Sequence, residues 1–339
     1  MKRASIALAC LLALVATASA LAQKPSSNRS TGGAGRVFFP NPVAQLQDKS
    51  LTDEKDSDYA ALQPAYREVA LTNLDGSGYL VGDWANIRSV TGSQAFSPTN
   101  TFLYNRHDDE FEQVMAYYWV TEAQKYIQSL GFGSTLRPIN KESQDIRINQ
   151  YGQDNSFSRD TKDQLTFGKG GVDDAEDAEV ILHEYGHAMQ DSQQTPFGFG
   201  ATVEAGSIGE GFADYWAVTV SNLTAPTPDA PCVADWDSVS YTSETPHCLR
   251  RVDEDLTYRD DLDGRVHHDG QIWSRALWDI RQALDHTKAD TIILEAQFDM
   301  KEPTMPELAQ KTVDTAQRLY GNSARNAVLG AFRARGILS

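Results

Sequence analysis

The sequence predicts an α+β protein of two lobes, a sheet-containing N-terminal lobe over residues 37–194 and a largely helical C-terminal lobe over residues 195–339. Two patterns predict this class. Short apolar runs broken by turn signals such as Asp75-Gly76 fill residues 37–99, as is typical of strands. Beyond Gln194 the apolar residues recur at the spacing of helices joined by loops.

Each element follows from a local pattern. Large apolar side chains recur at helical spacing over residues 108–130, which predicts a long helix with a core-facing aromatic stripe, ending at Gly131. Residues 146–148 and 165–167 are predicted strands of one sheet. A helix starting near Asp173 concentrates carboxylates in its first turns, where the helix dipole alone explains them. Later helices are predicted over 208–222, 269–284, 305–320 and 323–335.

The first 22 residues have the pattern of a secretory signal peptide. Lys2 and Arg3 precede an apolar stretch over residues 4–15, and small residues at 18–22 offer a cleavage site. An uncleaved membrane anchor is the alternative, but the stretch is short for a membrane span. Residues 23–36 are rich in Ser, Gly and Asn, which predicts a disordered linker. We therefore expect a secreted protein, extracellular or periplasmic, with no transmembrane segment in the mature chain.

Charge and cysteine content narrow the class further. The net charge is −17, from 47 acidic and 30 basic residues, which disfavours a nucleic-acid partner and suits a soluble exported protein. Cys10 lies in the signal peptide, so Cys232 and Cys248 remain in the mature chain. In an exported protein, two cysteines around a short polar loop predict a disulfide rather than two free thiols.

The strongest chemical signal is HEYGH, residues 183–187, in an apolar helical stretch. His183 and His187 are four residues apart, so both project from one helix face and can hold a single zinc ion. Glu184 between them can deprotonate a water on that metal. Average residue frequencies give roughly a one-in-a-hundred chance of this pattern in a chain of this length. The interpretation therefore depends on the downstream sequence.

The run GEGFADYW, residues 209–216, offers the missing ligand. A catalytic zinc ion needs three protein ligands and one open position. Glu210 follows His187 after 22 residues, enough for a helix to end, a loop to turn back and a second helix to begin. Asp214 lies four residues further on the same face. One carboxylate can ligate zinc while the other accepts the free N–H of a ligand histidine; two solvated acids are the alternative.

HEYGHA followed by GEGFADYW resembles the glutamate zincins, the thermolysin and fungalysin class of zinc metallopeptidases. The resemblance implies a thermolysin-like two-lobe fold with the active-site cleft between the lobes and one catalytic zinc ion. It implies zinc ligation by His183, His187 and Glu210, a general base at Glu184 and an outer-shell acid at Asp214. Gly209 matches the fungalysin pattern, where thermolysin-type enzymes carry asparagine, so the outer partner of His187 is unassigned.

The same resemblance extends to a possible oxyanion donor and to substrate-binding residues. In VHHDGQIW, residues 266–273, His267 is similar by register to a histidine that donates to the oxyanion, with His268 as its neighbour. Arg250 resembles an arginine that holds a substrate carbonyl; Arg251 competes with it, and an ordinary surface charge is the alternative. Asn155 resembles an edge-strand residue that pairs with substrate backbone, although a turn asparagine is nearly as good an explanation.

The predicted function is therefore a secreted zinc endopeptidase acting on proteins or peptides. Val180 and Leu249 are candidates, by register, for an apolar pocket past the scissile bond. A restricted zinc aminopeptidase is an alternative, but the sequence has no G-x-M-E-N-like run. A non-catalytic binding protein on a peptidase fold is the third reading. Calcium is common in this class, yet residues 261–264 lack the full spacing of a calcium loop, so no calcium residue is assigned.

Overall fold

The structure, a computed structural model, describes residues 31–194 and 202–339, and the predicted signal peptide lies outside these ranges. Residues 31–177 hold seven strands and two α-helices. The strands are β1 (Thr31–Phe38), β2 (Tyr66–Leu74), β3 (Ala85–Val90), β4 (Thr101–Phe102), β5 (Gln144–Ile148), β6 (Phe157–Arg159) and β7 (Gln164–Thr166). The helices are α1 (Pro42–Leu46) and α2 (Glu110–Ser129).

These strands form two sheets. In the first, the order is β2-β1-β4, with β1 antiparallel to β2 and parallel to β4. In the second, the order is β3-β5-β7-β6, parallel except for the antiparallel pair β6–β7. Strand β6 is therefore an edge strand. The predicted strands at 146–148 and 165–167 are confirmed as β5 and β7, and the aromatic stripe of α2 is buried in the core, as predicted.

The start of β1 corrects the predicted linker. Residues 31–36 were expected to be disordered from their composition, and that part of the prediction is wrong because they lie in β1. Pairing with β2 on one side and β4 on the other satisfies the backbone of this segment, whatever its side chains. Residues 23–30 lie outside the described ranges.

From Ala178 onward the chain is mainly helical. Helix α3 (Ala178–Ser192) ends the predicted N-terminal lobe. The region after it is mainly helical, as predicted, with α4 (Val203–Thr224), α5 (Val266–Ala283), α6 (His286–Gln297) and α7 (Met305–Ala334). A two-residue hairpin of β8 (Cys232–Val233) and β9 (Arg250–Arg251) lies between α4 and α5. The backbone of α7 breaks at Gly321, with φ of 79°, where two separate helices were predicted. Helix α6 was not predicted, although its N-cap Asp285 was a usable signal.

Helix α3 begins later than the sequence suggested. Residues 174–176 make a 3₁₀ turn, and the α-helix starts at Ala178 because the Asp177 side chain caps it by accepting from the Glu179 N–H at 2.9 Å. The predicted disulfide is confirmed: Cys232 and Cys248 are bonded. Within the two described ranges, none of the helices combines the length and apolar composition needed to cross a bilayer.

Candidate metal centre and active site

Helix α3 presents two histidines on one face. Buried residues on its other faces, including Leu182 and Tyr185, anchor the helix in the core and fix its rotation. The one-turn spacing places His183 and His187 together, with their Nε2 atoms 3.2 Å apart. The helix therefore brings two imidazole nitrogens to one point, as HEYGH predicted.

Helix α4 brings Glu210 to the same point. The two helices approach closely at Gly186, where an added Cβ would lie only 3.1 Å from the Cα of Ala213. At this approach Glu210 Oε2 lies 3.2 Å from His183 Nε2, and Glu210 Oε1 lies 3.8 Å from His187 Nε2. A residue larger than glycine at position 186 would force α3 and α4 apart by a few tenths of an ångström at Ala213.

The three side chains fit zinc. Zn–N and Zn–O bonds of about 2.0–2.2 Å at tetrahedral angles place ligand atoms roughly 3.3–3.5 Å apart, close to the separations of 3.2–3.8 Å found here. Glu210 Oε2 is buried, and its polar neighbours are the ring nitrogens His183 Nε2 at 3.2 Å and His267 Nε2 at 3.3 Å. A buried carboxylate is costly unless a cation or a hydrogen-bond donor meets it, and a metal ion among these nitrogens meets that need. Two imidazoles and one carboxylate also form the donor set of many catalytic zinc sites.

Asp214 orients the first of these ligands. Its Oδ1 lies 2.8 Å from His183 Nδ1, so it accepts that N–H and turns Nε2 towards the ligand cluster. Arg250 donates to the same carboxylate from Nε at 2.6 Å and from Nη2 at 2.7 Å. Burial would raise the pKa of Asp214, but Arg250 and His183 lower it to about 2, so it is an anion.

The electrostatics of the metal-free cluster follow from burial and from these contacts. Burial lowers the pKa of His187 to about 4, so this ring is neutral. Burial acts in the same direction on His183, but hydrogen bonds to Asp214 and Glu210 outweigh it and raise the pKa to about 10. Against the effect of burial, His183 and His187 hold the pKa of Glu210 well below its usual range. In the metal-free cluster, Glu210 is therefore an anion, His187 is neutral and His183 carries a positive charge. A bound metal ion can take over the positive charge that His183 supplies in its absence.

Glu184 follows His183 on α3 and contacts the edge strand β6. Its side chain is buried, and burial raises its pKa to about 7, while His183 and the backbone N–H of Ser158 in β6 oppose this. A carboxylate with a pKa near neutral is suited to accepting and returning a proton. Its contact with Ser158 also places the edge strand β6 beside the candidate ligands.

The structure distinguishes the two adjacent histidines of α5. Helices α4 and α5 approach where a Cβ on Gly211 would lie 2.2 Å from the carbonyl oxygen of Gly270. This approach brings His267 Nε2 to 3.3 Å from Glu210 Oε2, with its side chain 60% exposed. His268 instead lies 3.3 Å from Asp269 and 3.4 Å from Asp263. His267 therefore reaches the ligand cluster, in agreement with its register.

The two adjacent arginines also separate. Arg250 forms an ion pair with Asp214 at 2.6 Å, whereas Arg251 forms ion pairs with Asp229 and Asp253 at 2.9 and 2.7 Å. Beside Arg250, Leu249 packs on the same small apolar cluster as Val180 of α3. The buried members of that cluster are Val218, Val233, Ala234 and Val252. Both register-based apolar candidates thus pack against one shared apolar cluster.

The position of Asn155 and the outer partner of His187 are the remaining points that the sequence raised. Asn155 is exposed in the loop that leads into β6, and its carbonyl accepts from the Tyr151 hydroxyl. This places it near the edge strand without direct contact to the ligand cluster in the described residues. No hydrogen bond within residues 31–194 and 202–339 assigns an outer partner to the second ring nitrogen of His187.

Comparison with known proteins decides the family. The model of the fungalysin metallopeptidase family (M36) matches residues 72–302, well over half of the chain, and this segment contains every metal-ligand candidate above. The chain belongs to the fungalysin metallopeptidase family. It is therefore a metallopeptidase, a hydrolase of peptide bonds, in a family that depends on zinc.

The fold of this fungalysin-family chain is similar to that of a solved metalloproteinase. The precursor of protealysin from Serratia proteamaculans matches with a TM-score of 0.56 and 17% identity, covering 78% of this chain and 90% of that one. At this identity the likeness concerns the α+β fold, which agrees with the predicted class. No curated protein sequence matches the chain significantly.

Sequence reasoning missed a network of buried acids at the head of α3. The run from Asp173 to Glu179 was attributed to the helix dipole alone, and that interpretation is wrong because the side chains are buried against distant segments. Glu176 pairs with Arg106 at 2.9 Å, and Glu179 accepts from Ser221 at 2.6 Å and from the Ala234 N–H at 2.7 Å. Five carboxylates among the seven residues that lead into the apolar HExxH helix were the available signal.

Proposed function

We propose that this fungalysin-family metallopeptidase is a secreted endopeptidase that uses His183, His187 and Glu210 to hold one catalytic zinc ion. The observation that carries the proposal is the convergence of these three side chains beside Glu184, with their ligand atoms 3.2–3.8 Å apart. When bound, zinc supplies a Lewis acid that polarises a carbonyl and lowers the pKa of a water. The remaining work falls to side chains of the chain itself.

Glu184 is the proposed general base and acid. It lies one residue from His183 on α3, and burial places its pKa near neutrality in the metal-free chain. It accepts the proton of the attacking water and then delivers it to the leaving amine. Asp214 acts through His183: its hydrogen bond fixes the tautomer that leaves Nε2 free to ligate.

Substrate contacts are proposed around this centre. His267, 3.3 Å from Glu210 and largely exposed to the cleft, donates to the developing oxyanion. Arg250 uses Nε and Nη2 on Asp214, which leaves Nη1 to donate to a substrate carbonyl. The edge strand β6, reached through the loop that holds Asn155, offers backbone groups to an extended peptide. Val180 and Leu249 line the apolar surface next to Arg250.

Two features of the chain support secretion, a disulfide bond and the sequence pattern of the N-terminus. The disulfide between Cys232 and Cys248 persists in oxidising compartments. The first 22 residues have the sequence pattern of a signal peptide. Fractionating cells that express the full chain and sequencing the exported N-terminus tests this: export with cleavage after Ala20 or Ala22 is expected, and retention in the cytoplasm contradicts it.

The test of the catalytic proposal uses an internally quenched peptide with both ends blocked. The zinc-loaded mature chain should cleave it, and Glu184→Gln should lower kcat/KM by about 10²–10⁴-fold while retaining its zinc. Glu204→Gln, at the start of α4 and away from the cluster, is the matched control and should leave the rate unchanged. Cleavage only of peptides with a free N-terminus would favour an aminopeptidase. No cleavage of any peptide by a folded, zinc-loaded chain would contradict an enzymatic role.

A further inference from the structure

A second cluster of ligand oxygens lies away from the proposed zinc ligands. Carboxylate oxygens of Asp154, Asp174 and Asp237 come within 4.8 Å of one another. They arrive from three separate segments: the loop before β6, the 3₁₀ turn before α3 and a 3₁₀ turn at Asp237–Ser240. The convergence therefore depends on the fold and is invisible as a local motif.

Two of these carboxylates are buried with an unpartnered oxygen. Asp174 is 2% exposed and Asp237 is 4% exposed, and the Oδ1 atom of each accepts no hydrogen bond from the described residues. Asp154 is only half-buried, and the Tyr241 hydroxyl donates to its Oδ1. Asp174 Oδ2 accepts from the Ser156 hydroxyl. Each buried aspartate thus keeps one acceptor unused.

Like charges at this distance in a buried site require compensation. Among the residues that the structure describes, no lysine, arginine or histidine forms an ion pair with any of the three aspartates. Nearby carboxylates are treated differently: Glu176 has Arg106, and Glu179 has a hydroxyl and a backbone N–H. Asp173 and Asp235 also keep an unpartnered oxygen, but neither belongs to a described group of three ligands.

We propose that Asp154, Asp174 and Asp237 bind a calcium ion. The donors are all oxygens, which favours a hard cation over zinc. Oxygens within 4.8 Å of one another fit on the surface of a sphere of about 2.4 Å radius, the Ca–O distance. The Tyr241 hydroxyl is close enough to join them, and water can complete the coordination of six to eight that calcium takes.

Calcium here would link the two parts of the molecule beside the proposed cleft. Asp154 lies next to Asn155 and three residues before β6, whereas Asp237 follows the disulfide-bonded strand β8. The ion would tie the loop before the edge strand to the C-terminal segment. This site shares none of the three zinc-ligand candidates, so its test needs no peptidase activity.

The test is calcium binding by the zinc-loaded mature chain after removal of calcium, measured by equilibrium dialysis with radioactive calcium. One ion per chain is expected, and Asp154→Asn and Asp237→Asn should each weaken binding by at least about tenfold because ligand charge sets affinity. Asp263→Asn is the matched control, since Asp263 belongs to another group of three possible ligands, with His268 and Asp269, and should bind as the wild type does.

A second measurement locates the ion. Terbium in place of calcium should luminesce on excitation of tyrosine, and Tyr241→Phe should keep this signal, since its ring remains beside Asp154, whereas Tyr241→Ala should lower it. Near-ultraviolet circular dichroism and zinc content show whether each variant folds; Asp154→Asn, at a half-buried loop position, decides the matter if Asp237→Asn does not fold. Equal binding by wild type, Asp154→Asn and Asp237→Asn would overturn the proposal. Loss only in Asp263→Asn, or no binding at about 10 mM calcium, would also overturn it.

Discussion

Helix α3 carries two sets of buried polar groups, one in its middle and one at its head, and their partners differ. In the middle, His183 Nε2 and His187 Nε2 lie 3.2 and 3.8 Å from the carboxylate oxygens of Glu210, so the three side chains converge on one point. At the head, Glu176 and Glu179 are buried, and distant segments supply their hydrogen-bond donors. The first set is arranged so that one cation can contact all three side chains, whereas Glu176 and Glu179 are paired by the chain itself.

This difference indicates how to separate a functional polar cluster from a structural one. A structural cluster is saturated by the chain, so that removing any donor exposes a buried charge and destabilises the fold. A ligand cluster is incomplete by itself, so that removing one member changes what it binds more than how stably it folds. Variants of the metal-ligand cluster should therefore lose bound zinc, whereas variants of the partners of Glu176 and Glu179 should lose stability.

The largest effect is expected at Glu210. Glu210→Gln removes the anionic ligand from the pair of histidines, and loss of Lewis-acid stabilisation of several kcal/mol lowers kcat/KM by at least about 10³-fold. Bound zinc, measured by atomic absorption after dialysis, should fall with it. Glu204→Gln, six residues earlier on α4, should keep both zinc and activity. A Glu210→Gln enzyme with full zinc and full activity would remove this residue from the ligand set.

The next effect belongs to the head of α3 and concerns stability. The Arg106 guanidinium is fully buried, with Nε 2.9 Å from Glu176 and Nη2 2.6 Å from Asp53. Arg106→Met leaves these carboxylates without their cation, which should cost about 3–5 kcal/mol of unfolding free energy in urea titration. Zinc content per folded chain should not change.

Arg88→Met is the matched control for that substitution. Arg88 pairs with Asp145 on the surface with 67% of its side chain exposed, so the loss should stay below about 1 kcal/mol. If the two arginine variants lose equal stability, the buried acids are not compensated by Arg106 in the way the contacts indicate.

A smaller effect on zinc is expected from Asp214. Asp214→Asn keeps the shape but removes the charge that holds His183 Nδ1–H and pairs with Arg250. Outer-shell changes of this kind lower metal affinity by about 10–100-fold, measurable by competition with a fluorescent zinc chelator. Asp290→Asn is the control: Asp290 is equally buried but pairs with Arg281, away from the ligands. Asp290→Asn should lower the free energy of unfolding and leave zinc affinity unchanged. An equal loss of zinc affinity in Asp290→Asn would mean that the effect of Asp214→Asn comes from general destabilisation.

The same contrast explains what the sequence could predict. The ligand cluster was predictable because His183 and His187 share one helical turn and Glu210 and Asp214 share another, so local spacing encodes their geometry. The acid network was not predictable, because Arg106 and Ser221 reach α3 from 70 and 42 residues away in sequence. Strand β1 was placed too late for the same reason, since its pairing with β2 and β4 is non-local.

The smallest effect is expected when Glu179, at the head of α3, loses one hydroxyl donor. Ser221→Ala removes the donor 2.6 Å from Glu179 Oε1 and leaves a buried carboxylate oxygen unpartnered, while Ala234 N–H still donates to Oε2. An unsatisfied buried acceptor costs about 1–3 kcal/mol, so the urea midpoint should fall while zinc content and kcat/KM persist. Ser207→Ala, also buried on α4, is the control: its hydroxyl donates only to the Val203 carbonyl of its own helix. A Ser221→Ala loss no larger than that of Ser207→Ala would mean that Glu179 is protonated and needs one donor fewer. If Ser221→Ala instead lost zinc, Glu179 and its partners would belong to the same functional cluster as the metal ligands.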